Sequence, residues 1–75
     1  MNWKDAKAEL EKGNCLHLKD ENNYLYLSNN KHYIVYSLDR DNVYQIKASE
    51  ERFHSDYWEV DNKYKDRIIQ LLKKF

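Results

Sequence analysis

"NNYLYLSNNKHYIVYSL", residues 22–38, decides the fold. Apolar residues alternate on both sides of a polar centre, which is the signature of two strands joined by a tight turn. Asn29-Asn30 suits a two-residue turn, because asparagine tolerates the positive φ that such turns demand. With that turn Tyr26 faces Tyr33, Leu25 faces Ile34 and Tyr24 faces Val35. One side of the hairpin then carries Tyr24, Tyr26, Tyr33 and Val35; the other carries Leu25, Leu27, Ile34, Tyr36 and Leu38.

The flanking segments extend this sheet. "LDRDNV" is a second polar turn, followed by "VYQIKA" as another alternating strand with Tyr44 and Ile46 on one side and Val43 and Gln45 on the other. Its register is left open, since one residue more or less in the turn exchanges the faces. Upstream, "CLHLKD" alternates Leu16 and Leu18 with Cys15, His17 and Lys19. Downstream, residues 57–60 form a short strand. "SEERFHS" reads as a single helical turn capped by Ser49, which delivers Phe53 and Trp58 to the core.

Helices close both ends. Trp3, Ala6 and Leu10 recur at helical spacing over residues 3–12, with Asn2 as N-cap and Gly13 ending the helix in a left-handed conformation. Over residues 62–75 a second stripe carries Tyr64, Ile68, Leu71, Leu72 and Phe75, with Asp61 as its cap. The expected fold is therefore α+β, a single domain over residues 1–75: an N-terminal helix, a mostly antiparallel sheet of four to five short strands and a C-terminal amphipathic helix.

Composition narrows the function classes. Thirteen basic and thirteen acidic residues cancel, so neither a nucleic-acid binder nor a DNA mimic is indicated. Gly13 is the single glycine and there is no proline, which excludes a glycine-rich phosphate loop. The lone Cys15 permits no internal disulfide, and the chain reads as cytoplasmic, without leader or membrane span. Seventy-five residues bury only about 60–65% of the unfolded surface, so oligomerisation is the expected source of further burial. Cys15, His17, His32 and His54 lack paired metal-site spacing, and no residue pattern supports catalysis or a cofactor.

What stands out is aromatic. Two helices on opposite faces would cover both sides of the sheet. If both pack on the leucine side, the tyrosines are left for a ligand or partner. The candidate binding residues are then Tyr24, Tyr26, Tyr33 and Tyr44, with Arg40 available for phosphate.

Several stretches together resemble the phage Thoeris anti-defence family of the second kind: the helix "WKDAKAELEKG", the strand "YLYL", the segment "YIVYSLDRDNVYQI", and Ser49 followed by "DYWEV". The resemblance spans residues 3–60. It implies a homo-oligomeric sponge that sequesters a cyclic nucleotide immune signal without cleaving it, in the host cytoplasm. The chain departs from the family in three respects. It has no Gly-Trp-Asn-Gly-like segment, it places Tyr57 where an acidic residue usually precedes the tryptophan, and it adds a C-terminal helix. No family ligand residue is carried over. The alternative is a protein-binding inhibitor of a host defence or host factor, of the anti-CRISPR kind, acting through the same aromatic surface.

Overall fold

The computed structural model describes residues 1–47 and 53–74. Among them α1 spans Trp3–Glu11, β1 Leu16–Leu18, β2 Asn23–Leu27, β3 Tyr33–Ser37, β4 Asn42–Ile46, β5 Trp58–Val60 and α2 Lys65–Leu72. The strands form one antiparallel sheet in the order β4-β3-β2-β1-β5. This is the α+β architecture expected from the alternation and the terminal helical stripes.

The start of α1 is fixed by Asn2, whose Oδ1 accepts from the Asp5 amide at 3.0 Å. Its end is a Schellman motif. Gly13, at φ +93°, donates to Leu10 O at 2.9 Å, and the Asn14 amide donates to Glu9 O at 3.1 Å. Trp3, Ala6 and Leu10 are buried as the spacing predicts.

The β2–β3 hairpin differs from expectation by one residue. Tyr24 pairs with Tyr36, Leu25 with Val35, Tyr26 with Ile34 and Leu27 with Tyr33. The loop is three residues, not two. The Lys31 amide donates to Ser28 O at 2.9 Å, Ser28 Oγ accepts from the His32 amide at 3.1 Å, and Lys31, rather than either asparagine, takes the positive φ of 64°. A turn followed by one left-handed residue is the next commonest way to close a hairpin. The extra residue shifts every pairing by one and reassigns β3 to the opposite faces.

The consequence is that no all-tyrosine face exists. Leu16, Leu18, Leu25, Leu27, Tyr33, Val35 and Ile46 lie on the face that carries α1 and cluster with Trp3, Leu10, Phe53 and Trp58. On the other face Cys15, Tyr24, Tyr26, Ile34, Tyr36 and Val43 cluster with Tyr64, Ile68, Leu71 and Leu72 of the α2 segment. The two helices take opposite faces, and each face mixes aromatic with aliphatic residues.

Phe53 and Trp58 arrive in the core as expected. The Trp58 indole Nε1 donates to Phe53 O at 2.7 Å, and both rings are buried. Ser49 lies outside the described residues, as does Phe75. At the C-terminal side, Asp61 does not cap α2. Its amide still donates to Cys15 O at 3.0 Å, extending β5, while its Oδ1 accepts from the Lys63 amide at 3.0 Å. The chain turns through Asn62–Lys65 before the helix can begin, so α2 starts at Lys65 without a side-chain cap.

Candidate functional site

On the α2 face one row of side chains crosses all five strands: Val43, Tyr36, Tyr24, His17 and Glu59. Antiparallel pairing forces residues directly opposite one another onto the same face, which brings these groups from five strands into line. The His17 ring stacks on Tyr24 at 4.6 Å and 22°. Tyr64 meets Tyr24 edge-on at 5.0 Å.

The polar ends of the row are satisfied within the protein. His17 Nδ1 lies 3.0 Å from Glu59 Oε1, and its Nε2 contacts the Glu21 carbonyl oxygen. Both partners are pure acceptors, so the ring fulfils both contacts only as an imidazolium. Burial alone would lower the His17 pKa, but the Glu59 carboxylate and the Glu21 carbonyl outweigh it and the pKa is raised. At the far end, Tyr36 donates to Asp41 Oδ1 at 2.7 Å, and Arg67 clamps the same carboxylate.

His17, Glu59 and Asp61 bring their ligand atoms within 4.8 Å of one another, the only such group among the described residues. The imidazole nitrogen that would ligate a cation already engages Glu59, so the arrangement works as an ion pair. Cys15 sits beneath α2, fully buried, and burial pushes its thiol up to about 11. It is therefore not a nucleophile near neutral pH.

The α1 face offers something different. A nine-residue helix is about 14 Å long, whereas five strands span about 19 Å. It packs on β5, β1 and β2, and an open groove of about 270 Å³ runs beside it from Leu18 and Leu25 to Val35, Tyr44 and Ile46 of β3 and β4. Leu18, Leu25, Val35, Tyr44, Ile46 and Phe53 contribute apolar walls, and Glu21 is the one charged lining residue among those described. Tyr44 is 46% exposed.

The expected binding residues are thus dispersed. Tyr44 lines the groove. Tyr33 is on the same face but packs between Trp3 and Phe53, at ring distances of 6.1 and 5.1 Å. Tyr24 is buried in the cross-strand row and also borders the groove, and Tyr26 is half-buried on the α2 face. Arg40 is exposed in the β3–β4 turn and does not line the groove. The aliphatic groove residues Leu18, Val35 and Ile46 and the acidic Glu21 were absent from the expectation. Their signal lies in helix length: a short α1 stripe cannot roof a sheet of this width.

A second depression, of about 470 Å³, is lined by Asn2, Trp3, Lys4, Lys7 and His54 at the start of α1. No helix of the described residues is long and apolar enough to cross a membrane. Comparisons with protein-family models, with curated proteins and with solved structures return no match for this chain.

Proposed function

We propose that this chain is a non-enzymatic binding protein that engages a protein partner through the groove on the α1 face. The biological setting is the phage counter-defence role that the sequence resemblance implies. The carrying observation is the apolar groove around Val35, Tyr44 and Ile46 with Glu21 at its wall. Such a surface accepts an aliphatic or aromatic anchor, and Glu21 selects a partner with a lysine or arginine beside that anchor. A nucleotide phosphate would find no cation there. Neither the buried, high-pKa Cys15 thiol nor His17, with both ring nitrogens engaged, is free to act on a bound molecule.

Affinity capture from host lysate with the wild type and Glu21→Lys side by side tests this reading. A stoichiometric partner whose binding falls by about tenfold in the charge-reversed variant supports it. A partner held equally by both proteins rules out the groove.

A second reading, sequestration of a nucleotide signal, is favoured by the depression at the start of α1, where Lys4 and Lys7 lie beside the Trp3 ring. Native mass spectrometry with a panel of cyclic nucleotides separates the two. Ligand mass gained in fixed stoichiometry, and lost in Lys4→Glu, assigns the signal-binding role.

A further inference from the structure

The sheet has two edges, and they are built differently. At β5 the edge is three residues long and carries Glu59, and the Met1 nitrogen donates to Trp58 O at 2.8 Å and to Asp56 O at 3.2 Å. Those contacts occupy the carbonyls of Asp56 and Trp58. The β4 edge, Asn42-Val43-Tyr44-Gln45-Ile46, is five residues long. It has no charged residue, no proline and no pairing on its outer side among the described residues. Natural sheets protect a free edge with short strands, charge, proline or bulges. One edge here has such protection and the other has none.

The hydrogen-bond pattern identifies which backbone groups are free. Ser28 donates to His32 O and Leu38 donates to Asn22 O, so the even-numbered residues of β3 bond to β2. Alternation then turns Tyr33, Val35 and Ser37 toward β4. Their partners Ile46, Tyr44 and Asn42 face inward, and Val43 and Gln45 present their N–H and C=O groups outward. Tyr44, between them, is a position whose side chain would lie closest to that of a newly paired strand.

We infer that the β4 edge is the self-association surface of this protein, pairing antiparallel with β4 of a second copy about a two-fold axis through Tyr44. In that register Val43 bonds with the partner subunit's Gln45 and Gln45 with the partner subunit's Val43. The two Tyr44 rings meet on the axis. Asn42 falls opposite the partner subunit's Ile46, and there the ladder ends, because Asp41 is left-handed at φ +48° and its carboxylate is held by Tyr36 and Arg67. The pairing is isologous, as a two-fold dimer requires. It joins two five-stranded sheets into one and sets the two grooves of the α1 face side by side. The inference goes beyond the partner-binding reading, and because Tyr44 and Ile46 belong both to this edge and to the groove, Glu21→Lys, which lies outside the β4 ladder, separates the two: it weakens partner capture and leaves the dimer intact.

Light scattering and sedimentation of the full chain at about 100 μM, where a micromolar dimer is almost fully associated, give the first readout. The expected species is a dimer that dissociates on dilution. Tyr44→Lys places two lysines against each other on the axis and weakens the dimer by about tenfold or more, without altering the fold of the exposed position. Tyr44→Cys forms an intermolecular disulfide under mild oxidation, because a non-hydrogen-bonded antiparallel pair brings the Cα atoms to about 4.5 Å. Tyr57→Cys, at a side chain 70% exposed beside the other edge, does not cross-link at the same rate. A wild-type monomer at that concentration overturns the inference. So does a dimer that Tyr44→Lys leaves intact, or a dimer in which Tyr44→Cys fails to cross-link.

Discussion

The Tyr36 hydroxyl donates to Asp41 Oδ1 at 2.7 Å, and the Arg67 Nε donates to the same oxygen at 3.0 Å. One carboxylate in the β3–β4 turn thereby joins a buried strand residue to α2. This contact explains why a helix without a side-chain cap holds its place on the sheet. Tyr36→Phe removes one charge-assisted bond while leaving the ring in place. The expected loss is about 1 kcal/mol, read from urea denaturation.

The same contact sets the behaviour in acid. Hydrogen bonds from Arg67 and Tyr36 hold the Asp41 carboxyl down to about 2, against an ordinary value of 3.8. A lowered folded-state pKa gives stability that is present above the unfolded value and lost as pH falls through the folded one. Asp41 therefore contributes to acid unfolding between roughly pH 4 and pH 2. Arg67→Met flattens that limb of the stability curve, and unchanged acid sensitivity in the variant would contradict the assignment.

His17 acts in the opposite direction. Its folded-state pKa is raised above 6.5, so its contribution is complete below that value and is lost as pH rises through the folded pKa. The wild type is expected to be more stable near about pH 5.5 than near about pH 8 on this account. His17→Gln removes the difference. A pH slope that survives the substitution would show that another group carries it.

Trp58 carries the largest packing role. It is 6% exposed, lies 5.8 Å from the Trp3 ring and donates to Phe53 O. Trp58→Ala costs about 3–5 kcal/mol, a large share of the stability of a chain this small. Loss of cooperative thermal unfolding in the variant is the expected observation. Trp58→Phe, which keeps the aromatic volume and loses the indole N–H, remains folded with a lowered midpoint.

Gly13 is required for its backbone rather than for space. A Cβ there would sit 3.7 Å from Lys65 Nζ, an ordinary contact, but φ is +93°. Gly13→Ala therefore costs about 1 kcal/mol through conformation. A variant as stable as the wild type would mean that the Schellman turn relaxes freely.

The elements themselves were legible in the sequence because each carries its own period and punctuation. Asn2 and Gly13 bracket α1, alternation marks the strands, and Ile68 with Leu71 and Leu72 marks α2. The hairpin register was not legible, because the choice rests on Lys31 adopting a left-handed conformation that asparagine would be expected to take. That single residue moved Tyr33 and Val35 to the face of Leu25 and moved Ile34 and Tyr36 to the face of Tyr24. The binding face read from the tyrosines dissolved with it. Tyr44 survived as an exposed groove residue because the β3–β4 register was not tied to the first turn. The rest of the groove depends on how far α1 reaches, a matter of tertiary packing that the local pattern of Leu18, Val35 and Ile46 does not record.

The most direct test of the binding reading is a nuclear magnetic resonance titration of the isotope-labelled chain with the partner recovered by capture. The account predicts that the largest shift changes fall on Leu18, Glu21, Val35, Tyr44 and Ile46, and that Glu21→Lys suppresses them. Changes centred instead on Lys4, Lys7 and His54, or on the outer surface of α2, would contradict it.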